Sequence, residues 1–293
     1  MTVFKIVKLG LGEIALACLL SAPAFAQPCL PDFHGLPIGK FQKCFEHWSS
    51  NGRAPVALSA YQVNGSVLIA GSFQKKQPPK RTNYMQTPQQ YREKFKALKA
   101  KGFRPGRVSA LTRANETLPR FTTIWMEANE PFENVPGAAE CIDDPCPPPG
   151  LSLKAFRKRN SQMREEGYAL ADIAVYRVGS SGLVFNATWT KRPVDEVAAG
   201  VELDEAAFRS KNSELTRKGF VLIRLQAYPH NGIKFAAIWE KRAGTSVFEL
   251  LLSGSQYQTK YNQHIADGYV IQDISAAGDP TSSDDFITAV WVK

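Results

Sequence analysis

Few residues of this 293-residue chain stand at spacings that a familiar chemistry requires. Ser72-Phe73-Gln74-Lys75 has the Ser-x-x-Lys form in which a lysine amine activates a serine hydroxyl. A nucleophile of that kind opens a helix, whereas these four residues fall where the chain reads as strand. Asp279, Asp284 and Asp285 put three acids in one turn, without the regular oxygen spacing of a calcium loop. The histidines His34, His47, His230 and His264 occupy unrelated positions and form no ligand set. There is no Gly-x-Ser-x-Gly, phosphate-cradling glycine loop, His-Glu-x-x-His or dinucleotide fingerprint. No catalytic residue, metal or cofactor is expected.

A different set of polar residues recurs with a long period. Glycines 52, 102, 167, 219 and 268 are each preceded, eleven residues earlier, by an aromatic: Phe41, Tyr91, Phe156, Phe208 and Tyr257. Five residues after each glycine come Ala57, Arg107, Asp172, Arg224 and Asp273. Seven after come Ser59, Ser109, Ala174, Gln226 and Ser275, and nine after come Tyr61, Leu111, Tyr176, Tyr228 and Ala277. Alternating Arg and Asp with small polar groups and tyrosines suits a partly enclosed polar surface, and Arg and Tyr are favoured in recognition. Arg107, Asp172, Arg224, Asp273, Tyr61, Tyr176 and Tyr228 are therefore the candidate binding residues. The alternative is that the charges pair with one another or with water.

Those columns must be carried by repeated elements. Apolar groups seven apart, as in Phe208 and Leu215, mark one face of a helix of about a dozen residues. The glycine ends that helix, because a left-handed conformation costs it nothing. Val221 to Tyr228 then reads as a strand, Asn231-Gly232 as a tight turn, and Ile233 to Lys241 as the return strand. Phe73, Trp125, Trp189, Trp239 and Trp291 share one return-strand column and are expected in the core. The fold class is thus α+β: five tandem helix–β-hairpin repeats, with antiparallel strands forming a closed or half-open barrel-like sheet and helices on one face.

The expected boundaries are a signal peptide at 1–26, an N-terminal extension at 27–40 and a first repeat at 41–76. Further repeats span 82–130, 150–196, 200–245 and 248–293, with a Pro-rich linker at 131–149. The first repeat departs most from the pattern, with Arg53 and Phe73 replacing aromatic and tryptophan. It is expected to act as a cap whose outer face meets water.

Residues 1–26 have a basic start at Lys5 and Lys8, an apolar run and Ala24-Phe25-Ala26 before Gln27, the pattern of a cleaved secretory signal. A membrane anchor, or a lipoprotein through Cys18, is the lesser alternative, and no later stretch is apolar enough to span a bilayer. Secretion or a periplasmic location is expected. Export leaves four cysteines in an oxidising compartment, and local pairing of Cys29 with Cys44 and of Cys141 with Cys146 is preferred among three connectivities. A zinc site at these cysteines is disfavoured because no histidine lies near.

Charge is uneven. Residues 27–130 hold 16 Lys/Arg against 6 Asp/Glu, whereas residues 131–293 hold 18 against 20. Lys75, Lys76, Lys80, Arg81 and the segment with Arg92, Lys94, Lys96, Lys99 and Lys101 supply most of the excess. This favours an acidic partner, unless it is only a solvated helix face.

The order Phe-x10-Gly-Phe/Tyr, a strand ending Ala227-Tyr228, then Phe235-Ala236-Ala237-Ile238-Trp239-Glu240-Lys241 resembles the bacterial tandem repeat that builds the N-terminal domain of polyglycine hydrolases. The resemblance covers nearly all of residues 41–293 and is best in the fourth copy. Enzymes of that family carry activity in a separate serine-hydrolase domain, which is not expected here because the repeats run to Lys293. It implies a recognition or structural module without the catalytic part. The expected function is a non-catalytic binding or scaffold module for a polypeptide or acidic envelope polymer, with no nucleic-acid partner. The alternative is a peptide or glycan hydrolase with a site in the sheet concavity, using Asp172 or Asp273.

Overall fold

The computed structural model describes residues 29–75, 80–113, 116–135, 150–178, 182–278 and 285–293. The second cysteine pair and the expected signal peptide lie outside them. Repeat 1 runs β1 (Asp32–Pro37), α1 (Ile38–Ser50), β2 (Arg53–Val63) and β3 (Ser66–Lys75). Repeat 2 has β4 (Arg81–Gln86), α2 (Pro88–Lys99), β5 (Phe103–Leu111) and β6 (Arg120–Glu127). Repeat 3 has β7 (Phe132–Val135), α3 (Leu153–Glu165), β8 (Tyr168–Arg177) and β9 (Leu183–Lys191). Repeat 4 has β10 (Val197–Leu203), α4 (Glu205–Arg217), β11 (Phe220–Pro229) and β12 (Ile233–Lys241). Repeat 5 has β13 (Ser246–Leu252), α5 (Gly254–Ala266), β14 (Val270–Gly278) and β15 (Asp285–Val292).

The helix, glycine, strand, turn and strand fall where the periodicity puts them. All five terminal glycines are left-handed, with φ between 68° and 83°. Asn231 and Gly232 both have positive φ, as a two-residue hairpin turn needs. Helix starts are capped by Thr87, Ser152, Asp204 and Ser253, each accepting from the N–H three residues on.

Each repeat also has a strand before its helix, which the periodicity missed. It pairs antiparallel with the return strand, giving three-stranded sheets ordered β1-β3-β2, β4-β6-β5 and so on. The 27–40 extension therefore contains β1 and the start of α1. Four residues of the expected linker, Phe132–Val135, are strand β7. These outer strands are short, and β1, β4, β10 and β13 are broken by a bulge, so they show no clean alternation. In those four the bulge holds a positive-φ residue seventeen positions before the helix-ending glycine, Gly35, Met85, Glu202 and Leu251, and Gly150 stands at the same spacing in repeat 3, between β7 and α3.

The barrel expectation needs correction. Among the described residues there are five separate sheets, and none closes on itself. They stand face to face around an axis as the blades of a ring. One face of each sheet lies under its own helix, as with Phe208, Leu222, Leu225 and Trp239. The other face packs on the preceding repeat. Ile124 of repeat 2 enters the core of repeat 1, and Ala174 and Tyr176 of repeat 3 enter that of repeat 2. Ile223, Tyr228, Ala236 and Ile238 of repeat 4 enter that of repeat 3, and Val290 of repeat 5 enters that of repeat 4. Ala57, Tyr61 and Ala70 of repeat 1 enter the core of repeat 5, which closes the ring. With both faces covered, strands such as β8 are buried almost throughout.

Ring closure also overturns the cap assignment. Repeat 1 presents its sheet to repeat 5, and Tyr261 donates to Asp32 across that junction at 2.7 Å. Its missing strand tryptophan is replaced from the helix: Trp48 stacks on Phe33 at 4.7 Å and lies 4.5 Å from Phe73. Phe73 and the four return-strand tryptophans are all buried, as expected, and so is Trp48. Each helix lies at the rim, between its own sheet and the outer strand of the next repeat. Phe41 thus meets Tyr84, Phe95 meets Phe132, and Phe208 meets Phe248.

Candidate functional site at the ring axis

The strand after each helix is the inner edge of its sheet, and five inner edges converge on the axis. An edge strand leaves alternate N–H groups without a ladder partner, and buried N–H groups need acceptors. Each repeat meets this need with a side chain from the next one. Ala60 N donates to Ser109 Oγ at 3.3 Å, and Val108 N to Asp172 Oδ2 at 2.8 Å. Val175 N donates to Gln226 Oε1 at 2.8 Å, and Leu225 N to Asp273 Oδ2 at 2.9 Å. Ala276 N donates to Ser59 Oγ at 3.0 Å. All five junctions are bridged this way. Side-chain acceptors in place of a backbone ladder are why the sheets meet without merging into a barrel.

In every inner strand a bulge precedes the charged column, between Pro55 and Ala57, Pro105 and Arg107, Leu170 and Asp172, Leu222 and Arg224, and Ile271 and Asp273. Arg224 sits at the centre. Its Nη1 is 2.6 Å from Asp273 Oδ1 and its Nε is 3.1 Å from Asp172 Oδ1. Its Nη2 donates to the carbonyl of Val108 at 2.8 Å. Arg107 Nη1 lies 3.8 Å from Asp172 Oδ1 and its Nε 3.9 Å from Asp273 Oδ1. Arg107 Nη2 also donates to the Ile223 carbonyl at 3.3 Å. Two cations and two anions make a neutral hub. Opposite charges cannot alternate around an odd-membered ring without one pair of like neighbours, and Ala57 in repeat 1 removes that conflict.

Burial decides what the hub can do. Asp273, Asp172 and Arg224 are 0%, 1% and 4% exposed. Burial pushes the Asp172 carboxyl above its ordinary pKa, against the pull of Arg224 and Arg107. Burial also works against the Arg224 charge, but Asp273 and Asp172 outweigh it and hold that pKa above the usual value. At the Arg107 side, burial and the Arg107 charge lower Lys80 to about 8. The four charged candidates are thus brought together, and they bond one another and the strands rather than facing an open concavity.

The tyrosine candidates lie elsewhere in the ring. Tyr61, Tyr176 and Tyr228 wedge between a repeat and the one before it. Tyr61 and Tyr228 hydroxyls accept the bulge N–H of Gly35 and of Glu202, at 3.0 and 2.9 Å. Burial raises the pKa of all three, Tyr228 to about 12. Where the column lacks tyrosine, at Leu111 and Ala277, the return strand supplies the acceptor. Met85 N donates to Thr122 Oγ1 at 3.4 Å, and Leu251 N to Thr288 Oγ1 at 3.3 Å. Repeats 1 and 4, which have the tyrosine, carry Ala70 and Ala236 in that threonine position.

The three tyrosines also line a cavity of about 190 Å³ where the inner strands end. All five repeats contribute to it, with small walls at Ala60, Ala110, Ala227, Ala276 and Ala277 and polar groups at Gln62, Thr112 and Arg177. At Gly278 a Cβ would stand 2.3 Å from the Gln62 carbonyl oxygen, so only glycine lets repeats 5 and 1 approach here. The sequence gives no sign of this mouth, because its walls are ordinary alanines until the ring assembles them.

Among the described residues no group of three or more His, Cys, Asp or Glu could hold a metal ion. Cys29 and Cys44 are joined, as expected, and no described helix is long and apolar enough to cross a membrane. The family described as polyglycine hydrolase-like, structural repeat matches residues 33–76, 77–128, 150–192, 195–242 and 247–293. The chain belongs to that repeat family. No curated protein matches it.

Proposed function

We propose that this chain is an exported, non-catalytic scaffold that binds a segment of a polypeptide or an envelope polymer at the mouth of its ring. The observation that carries this reading is the division of the axis. The polar columns are consumed in holding the repeats together, while the mouth is concave and lined by every repeat. Tyr61, Tyr176 and Tyr228 keep a place in the binding proposal as mouth walls. Arg107, Asp172, Arg224 and Asp273 are assigned the task of fixing the ring. The Cys29–Cys44 disulfide fits an extracellular or periplasmic location, as does the signal-like start of the sequence.

The test is capture of partners from native envelope or culture fluid on the immobilised mature protein, in parallel with Ala277→Trp, which fills the mouth. The partner held by the wild type should be missing from the variant, with both proteins melting alike. Equal capture by both would place binding elsewhere. Turnover of peptide or glycan panels that disappears in Asp172→Asn would instead favour the hydrolase.

A further inference from the structure

Helices α2 and α3 use their exposed faces differently from α4. On α4 both acids are paired with cations one turn on, Arg209 with Glu205 at 2.8 Å and Lys218 with Glu214 at 2.5 Å. On α2 no ion pair forms among the described residues, and on α3 Arg157 pairs with Glu202 of the next repeat while the lysines stay unpaired. Lys96, Lys154 and Lys158, together with Lys101 just past α2, are exposed and make no ion pair with a described residue. The acids beside them are occupied otherwise: Glu93 accepts from the Gln89 amide and Glu165 from the Ser161 hydroxyl. Arg92 and Lys96 are like charges four apart, as are Lys154 and Lys158, an arrangement that destabilises a helix. Neither helix has an acid in its first turn, and Lys154 stands in the first turn of α3, against the helix dipole. Local rules broken twice on neighbouring repeats point to a partner outside the chain.

We propose that the outer faces of α2 and α3 form one docking belt for a flexible linear polyanion bearing a phosphate on each unit. Cations four apart on a helix stand about 5–6 Å from each other, which suits a chain charged at every unit. The two helices belong to adjacent blades, so their outer faces diverge. A flexible chain follows that curve, whereas a flat bilayer meets one helix at a time. A membrane-surface helix would also set an apolar row beside its cations. The large exposed apolar residues Leu30, Leu118, Ile233, Ile265, Val270 and Phe286 all lie off these helices. The belt is distinct from the mouth and does not depend on what the mouth binds.

The experiment measures binding of long-chain inorganic polyphosphate to the mature protein across a salt series. A quadruple variant, Lys96→Gln, Lys101→Gln, Lys154→Gln and Lys158→Gln, tests the belt. A control with the same charge change elsewhere carries Arg217→Gln, Lys218→Gln, Lys241→Gln and Arg242→Gln. The expected result is affinity that falls steeply with salt, drops at least tenfold in the belt variant, and changes less than threefold in the control and in Ala277→Trp. Thermal melts of all variants should stay close to the wild type. Absent binding, equal losses in the belt variant and the control, or loss in Ala277→Trp would overturn the proposal. So would equally tight binding of phosphatidylglycerol vesicles that displaces the polyphosphate.

Discussion

Glu202 sits in a left-handed backbone conformation, φ 56°, at a position where two other repeats have glycine. A side chain there is disfavoured by roughly 1–2 kcal/mol, and the same holds for Met85 and Leu251. Glu202 adds a pair with Arg157 at 2.9 Å and lies 3.5 Å from His230 Nε2, and such solvent-facing pairs contribute little. Glu202→Gly should therefore be more stable than Glu202→Ala by about 1 kcal/mol in urea unfolding, the reverse of the usual order. If alanine proves the more stable, the bulge is not held in that conformation. Nothing in the residue type at 85, 202 or 251 announces the bulge. Gly35, with Gly150 at the matching position of repeat 3, is its only trace in the sequence, and two glycines among 21 are too few to read.

At the scale of the strand, one buried N–H in the outer bulge is satisfied by either of two neighbours. Repeats 1 and 4 use tyrosine on the inner strand with alanine on the return strand, and repeats 2 and 5 have Leu111 or Ala277 on the inner strand and use a return-strand threonine. Tyr228→Leu should cost about 3 kcal/mol, from the lost acceptor together with lost packing. Adding Ala236→Thr should recover about 1 kcal/mol of it by restoring the acceptor, read from a double-mutant cycle of unfolding free energies. Additive effects would show that the two columns are not coupled. Both columns were visible in the sequence, but their exchange was not, because it depends on which inner-strand residue reaches the bulge of the outer strand. That strand was itself missed.

For the molecule as a whole, the hub makes a ring out of five repeats that could otherwise stack as an open array. Removing one partner from a buried charge group leaves the other uncompensated, at a cost of about 3–5 kcal/mol. Arg224→Met should lose that much stability, measured by urea unfolding, because it strands Asp273 and Asp172 together. A loss under about 1 kcal/mol would mean that water reaches the axis and that the charges are dispensable. By itself the sequence determined the repeat, its helix, glycine and hairpin and its buried return-strand tryptophans, and it made Cys29–Cys44 the preferred one of three pairings. These depend on local conformation and on side chains near in the chain, so they leave a periodic mark. Only the tertiary structure decided that Arg107, Asp172, Arg224 and Asp273 face one another across an axis. Whether a polar column is a binding surface or a hub depends on closure. Closure is a contact between Ser59 and Ala276, 217 residues apart, and no periodicity within fifty residues contains it.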